Sequence, residues 1–466
     1  MSHFKEYGIN ESVPMEDRHI GFWDMTATWM GANCQPSSWY IGGVIAAVGL
    51  GGALGITLVA NPITYLVLML IGYMGYKIGT TTMGITRVPF GIQGSRLLSV
   101  VNAISLVGWG AVANFIAAIS MSYLFNSLFG WPYYGEPGDW WVLAIGAVIN
   151  GVLSLIFVAI GGSRSLAFVE KVMMVGLLIL STWITIKVLG TYSLAQIAAW
   201  RPDESVRMPF GAGVDAMAAF SIGWPICAAE YTRYTKNKIS STLAPFIGAN
   251  LAIYWFALVG TLGVIAVAIQ TGTFDPNYSD PSSVATQLGL GWAALIVVIF
   301  ATVTTNLINI YSGSVSVANI MPKLDMKKII WIIGVISILV SLIPLIVGSF
   351  LDTFMAFLSN YIGLIFPPVM AILVVDYYLI RKGNYQVDKF DQIGGPYWYS
   401  GGFNWYAIAS WAISIAVYLF LRKINFGINS TGSLLPGFVL SLIIYWVLAK
   451  IGVSSKAYQD VNSLRA

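Results

Sequence analysis

Charge is scarce in this chain of 466 residues: Asp, Glu, Lys and Arg make up 9% of it, against 57% hydrophobic residues. A soluble globular domain carries about 25% charged residues. A water-facing surface of ordinary size cannot be built from this sequence, and its repeated apolar runs must face lipid. Cysteine is nearly absent, and Cys34 and Cys227 are too few for a disulfide scaffold or a multi-cysteine metal centre. Histidine is limited to His3 and His19, both in the polar opening stretch MSHFKEYGINESVPMEDRHIG. Without intramembrane histidines or carboxylate clusters, a metal-dependent membrane hydrolase has no ligands to work with, so the sequence reads as a non-enzyme. The opening stretch also lacks the apolar core and small-residue cleavage site of a signal peptide, and reads as a cytoplasmic tail.

What is present is a series of apolar segments of about 20 residues, the length that crosses a bilayer, repeated about twelve times. The fold class expected is an all-α polytopic membrane protein. Its tails are residues 1–20 and 452–466, and a single transmembrane domain covers 21–451. Of the 24 Lys and Arg residues, Lys187, Arg201, Arg207, Arg422 and Lys423 fall on one side of the bilayer and the rest on the other. Basic residues are retained on the cytoplasmic side, so both termini are expected inside, in a plasma or inner membrane. The formal net charge of +4 then reflects topology and does not point to nucleic acid.

Two segments are interrupted where a spanning helix should be continuous. The first, ATWMGANCQPSSWYIGG, carries Asn33, Gln35, Pro36, Ser37 and Ser38 in its middle, and the sixth, FSIGWPICAAEYTRY, carries Gly223, Trp224 and Pro225. Proline removes a backbone donor. The polar groups it frees are tolerated at membrane depth only beside protein or a water-filled cavity. Each proline alone could make an ordinary kink, but corresponding breaks in two halves point to an inverted-repeat transporter with its site between them. The halves would run about residues 22–190 and 210–382.

The eighth segment, with Thr302, Thr305, Asn306 and Asn309 at i, i+3, i+4 and i+7, has one polar helix face. It could bond a neighbouring helix or wall a cavity, with Thr304 and Thr305 offering oxygens to a cation and Asn306 and Asn309 offering amides to a polar ligand. In the third segment Asn102, Ser105 and Trp109 share a face, and Gly108 and Gly110 clear space around the indole. Trp109 and Trp224 could then flank a flat ligand. Asn114 projects away from Trp109 and reads as a packing residue.

The motifs GITRVPFGIQGSRL (84–97), VGWG (107–110), GWP followed by EYTRY, TTN (304–306), PPVMAILVVDYYLIRKGNY (367–385) and PYWYSGGFNWYAIASW (396–411) together resemble the nucleobase-cation symporter family of cytosine, purine, allantoin and hydantoin permeases. The resemblance implies a LeuT-like five-plus-five inverted repeat with two extra helices at about 402–451, and cation-coupled uptake by alternating access. It implies that Trp109 and Trp224 sandwich the substrate ring. Gln35, Asn306, Asn309 and Gly223 would contact the ring, and Thr304, Thr305 and the backbone near Asn33 would hold Na+. No cofactor is implied beyond the coupling ion, Na+ or alternatively H+. The partners expected are a small planar heterocycle and the lipid bilayer, with no obligate protein partner. The sequence departs from the family pattern at Glu230, where Asp is usual, at Asn309, offset by one residue, and at Leu106, where cytosine-type members have glutamine. These leave the substrate open and argue against cytosine.

Glu230 and Arg233, three apart and so neighbours on a helix, are expected at the cytoplasmic mouth, as a solvated helix end or an inner latch, with Arg87 competing for Glu230. Asp24 is expected to cap the first helix. Asp215 is an intramembrane carboxylate and so a candidate proton carrier. A transport-like receptor remains the rival to a transporter.

Overall fold

The computed structural model describes residues 7, 11–160, 163–321, 323–455, 457–458 and 460–461, with the backbone alone at 160, 163–171 and 319. The other residues of the two expected tails lie outside the described residues. The first apolar segment forms two helices, α1 (Phe22–Asn33) and α2 (Pro36–Ile45). Gln35 between them is extended, with φ −144° and ψ 155°, and Pro36 opens α2, where its missing N–H costs nothing and its fixed φ is already helical. There follow α3 (Leu50–Ile78), the short α4 (Thr82–Phe90), α5 (Ile92–Phe129), α6 (Trp140–Ile160), α7 (Ser163–Thr191) and the short α8 (Leu194–Ala199). The sixth apolar segment is α9 (Phe210–Ile222), a 3-10 turn at Pro225–Cys227 and α10 (Ala228–Thr232). The remainder is α11 (Lys238–Thr271), α12 (Pro281–Gln287), α13 (Trp292–Ile320), α14 (Met326–Val340), α15 (Ile343–Val347), α16 (Phe350–Phe357), α17 (Gly363–Val375), α18 (Trp405–Lys423) and α19 (Leu434–Ser454).

Among the described residues, eleven helical segments are long and apolar enough to cross a membrane. The first segment is not among them because its halves, 12 and 10 residues long, are each too short to span. Counted together they complete the twelve expected.

The two broken segments are held crosswise. α1 and α2 pack along α11, and α9 and α10 pack along α3. Small residues make both contacts close. A Cβ on Gly260 of α11 would meet the backbone nitrogen of Gly43 at 2.9 Å, and one on Gly75 of α3 would meet Ala229 Cα at 2.7 Å. Without a hydrophobic driving force between helices in lipid, such backbone proximity is the main source of helix association. Long α5 and α13 lie against each other at the centre. In the most apolar window of α5, 78% of residues are buried, against 28% in α18 and α19, so the last two spans are peripheral and expose Ile413, Val439 and Ile443 outward.

Those peripheral helices are anchored by a buried ionic cluster. Arg381 donates to Asp460 through Nε (2.6 Å) and Nη2 (3.1 Å), pairs with Asp376 through Nη1, and donates to Tyr399 Oη at 2.7 Å. Asp376 also accepts from Tyr385 and Tyr445, each at 2.6 Å. Tyr399 carries the connection to the Val88 carbonyl of α4 (2.6 Å). Burial opposes the Arg381 charge, yet Asp376, Tyr399 and Asp460 drive its pKa well above the ordinary value.

Candidate functional site

The two breaks face one cavity. Its walls include Gln35 and Ser37 from the first break, Gly223 and Trp224 from the sixth, Trp109 of α5 and Thr305 of α13. It leaves about 40 Å³ for the centres of water molecules, and no charged side chain is among its lining residues. Below it, sharing Asn102, Leu106, Trp224, Cys227 and Asn309, a vestibule of about 560 Å³ opens on the face that carries Tyr7. Behind the cavity wall, α16 packs aromatic rings against α2 and α5. Phe350 stacks on Phe115 at 4.7 Å and on Tyr40 at 5.2 Å, while Phe354 and Phe357 meet Trp109 edge-on at 6.5 and 5.3 Å.

The tryptophans sit where the sequence places them, each braced by its neighbours. Phe220 meets Trp109 edge-on at 5.4 Å, and Trp29 of α1 meets Trp224 edge-on at 6.0 Å, the geometry that the ring quadrupole favours. A Cβ on Gly223 would lie at ordinary contact distance, 3.7 Å, from Trp109 Nε1, so the break runs beside the indole without requiring glycine there. The flanking glycines of VGWG have a different role from the one expected. A Cβ on Gly108 would collide with Phe357, and one on Gly110 would lie 2.5 Å from Ser337 Oγ and 2.7 Å from Asn306 Oδ1. They admit neighbouring helices, α16 through Phe357 and α14 through Ser337.

The polar stripe of α13 divides. Thr302, Thr305 and Asn309 line the cavity. Asn306 is fully buried and does not line it; its Nδ2 donates to Asn114 Oδ1 at 2.8 Å, which also accepts from Asn150 Nδ2 at 3.0 Å. Asn114, read as a packing residue, is thus the hub of a buried amide cluster joining α5, α6 and α13. The lone Asn150 in an otherwise apolar span was the available signal, because an amide in lipid needs partners. Asn33 is also turned away from the cavity, donating to Trp29 O at 3.2 Å and accepting from Tyr65 Oη at 2.7 Å.

A second, smaller space of about 20 Å³ for water centres lies between the first break and α13, lined by Gly31, Ala32, Thr304 and Thr305. Its donor set suits a hard cation. In a continuous helix the N–H of residue 36 would bond the carbonyl of residue 32. Residue 36 is proline, and Gln35 N–H donates instead to Asn33 O at 3.0 Å, so Ala32 O has no helical donor. Thr304 and Thr305 hydroxyls donate to Ala301 O at 2.8 and 3.0 Å. Their hydrogens are engaged and their lone pairs left for a cation.

Glu230 and Arg233 both line the vestibule but bond elsewhere than to each other. Glu230 accepts from Thr82 Oγ1 at 2.7 Å, and Arg233 Nη2 donates to Tyr7 O at 3.2 Å. Arg87 pairs with Asp391 rather than Glu230. Asp24 accepts from Gly21 N–H at the start of α1 (3.4 Å), a capping contact. Asp215 accepts from Ser433 and Leu434 N–H, at 2.9 and 2.8 Å. That capping contact at the start of α19 accounts for its place in the fold. Cys34 and Cys227 both border the cavities.

With this geometry established, the comparisons place the chain. A family model described as "Permease for cytosine/purines, uracil, thiamine, allantoin" matches residues 12–448. The allantoin permease of Bacillus subtilis (strain 168) is 24% identical over 459 residues, covering 92% of this chain and 90% of that protein. The cytosine permease of Escherichia coli (strain K12) is 23% identical over 410 residues, covering 87% and 86%. In fold the chain is similar to Mhp1, a nucleobase-cation-symport-1 family transporter. The TM-score is 0.77 to the closed conformation with bromovinylhydantoin bound, at 17% identity, covering 97% of this chain and 96% of that one. Against the inward-facing conformation it is 0.75, at 18% identity, covering 96% and 95%. A broken-helix cavity, a full-length family match and this fold agree: the chain is a permease and not an enzyme, and it belongs to the nucleobase-cation symporter family of permeases for cytosine, purines, uracil, thiamine and allantoin.

Proposed function

We propose that this chain imports an uncharged planar nitrogen heterocycle, of purine, pyrimidine, allantoin or hydantoin type, by sodium symport with alternating access. The observation that carries the reading is the pair Trp109, on α5, and Trp224, in the sixth-segment break, bordering one cavity whose lining has amides and hydroxyls but no charge. A flat ring gains stacking energy on both walls and has its edge read by Gln35 and Asn309. Asn306 contributes from behind, by holding α13 against α5. Sodium sits between Ala32 O and the Thr304 and Thr305 hydroxyls, beside the backbone of Asn33, and so joins the first break to α13. An ion that favours that junction raises substrate affinity by linkage.

The wide vestibule supports reading this as the state that releases substrate toward the Tyr7 face, taken as cytoplasmic from the basic residues, in a plasma or inner membrane. Glu230 and Arg233 act at that inner mouth through separate partners, Thr82 and the N-terminal segment. The test is exchange of radiolabelled uracil, purines, hydantoin and allantoin in proteoliposomes under an imposed sodium gradient. Uptake driven equally by a pH gradient without sodium would replace sodium with protons, and binding without exchange would make the protein a receptor.

A further inference from the structure

Asn102 of α5 sits where the cavity meets the vestibule, bordering both, and is only 5% exposed. Its Nδ2 donates to Ser316 Oγ of α13 at 3.0 Å. Ser316 gives its own hydroxyl hydrogen to Ser312 O at 3.1 Å and accepts from Asn102. In this arrangement the NH2 end of the amide faces Ser316. The carbonyl Oδ1 is therefore the free end, and it is buried with no hydrogen-bond partner. A buried acceptor left unmade costs free energy that a matched donor recovers. Ser105, one turn along α5 toward Trp109, lines the same wall.

Resting on the transport reading above, we infer that Asn102 is a specificity-determining residue whose Oδ1 accepts a ring N–H from the substrate edge facing the vestibule. The ligand class is narrowed accordingly. It is a lactam, imide or ureide ring presenting an N–H donor next to its carbonyls, and a ring with a bare acceptor at that position is rejected. Turning the NH2 group toward such a ring would cost the amide its donation to Ser316. The clamp therefore biases the discrimination toward the N–H form.

Size-matched pairs test this: uracil against its 1-oxa and 3-oxa isosteres, and hydantoin against oxazolidine-2,4-dione. Binding to the purified full-length protein is followed by tryptophan fluorescence. The parent should prefer the N–H form to one isostere of the ring it binds by about tenfold or more, the scale of one buried hydrogen bond. Asn102→Ala should bring that ratio close to one by weakening the N–H ligand alone. Ser316→Ala, which loses the clamp and keeps the acceptor, should retain a preference for the N–H form. If Asn102 is only a clamp between helices, Asn102→Ala and Ser316→Ala will weaken all ligands alike and leave the ratio unchanged, and the inference is overturned. If Asn102→Ala does not fold, a parent that binds N–H and oxa forms equally overturns it without the variant. A parent that binds none of these rings would defeat the transport reading itself, and this inference with it.

Discussion

The two helix breaks use the same residue type for different ends. At the first, Pro36 opens the second half-helix and strips the donor from Ala32 O, in a buried setting next to the Thr304 and Thr305 hydroxyls. At the sixth, Pro225 opens a 3-10 turn, and what reaches the cavity is a side chain, Trp224. One break presents backbone oxygen and the other an aromatic face. The difference teaches that a proline in a spanning helix does not specify a ligand by itself. Its neighbours decide whether the freed geometry serves an ion or a ring.

This division can be broken experimentally. The largest effect is expected from Trp224→Ala, which should weaken binding of every planar substrate by about 1–3 kcal/mol while leaving the ratio of affinities with and without sodium as it is. Fluorescence or calorimetric titration in both buffers checks it, and a changed sodium ratio would merge the two roles. Thr304→Ala, at a hydroxyl that lines the ion space but not the ring cavity, should do the reverse. Substrate affinity without sodium stays near the parent value, and sodium's enhancement, typically about 5–150-fold for coupled sites, falls toward one. Pro36→Ala sharpens the comparison further, because it returns an N–H that can bond Ala32 O. We expect a folded protein with a partial loss of the sodium effect, smaller than that of Thr304→Ala. The mildest probe leaves the site intact. Cys227 borders the vestibule and Cys34 is buried at the first break, so a polar maleimide should label Cys227 first, with substrate slowing that reaction. Equal labelling of Cys34 would mean that the first break opens to water as the sixth does.

Much of this was legible in the sequence because membrane depth punishes irregularity. Pro36 and Pro225 stand out inside apolar runs, and Trp109 and Trp224 sit too far from the segment ends to be interfacial anchors. The α13 stripe was legible as a face, but helical periodicity does not say which neighbour the face meets. Thr302, Thr305 and Asn309 reached the cavity, and Asn306, on the edge of the same stripe, met Asn114 instead. Phe350, Phe354 and Phe357 could not have been singled out, since an aromatic residue in an apolar span looks the same whether it meets lipid or packs behind a cavity wall. Glu230 and Arg233 were legible as neighbours. Their actual partners come from α4 and the N-terminal segment, more than 140 residues away in each case, a distance that spacing rules do not cover.

The Arg381 cluster bears on how the protein is made. Asp460 lies 79 residues after Arg381, beyond both peripheral spans, so during synthesis Arg381 must wait for its second carboxylate until α18 and α19 have been inserted. A buried pair missing one partner is strongly destabilising, by about 3–5 kcal/mol. The tenth span, whose C-terminal end carries Asp376, therefore reaches its full ionic pairing only after the last helices have arrived. The two peripheral spans complete a junction that an unfinished chain holds with one of its two carboxylates.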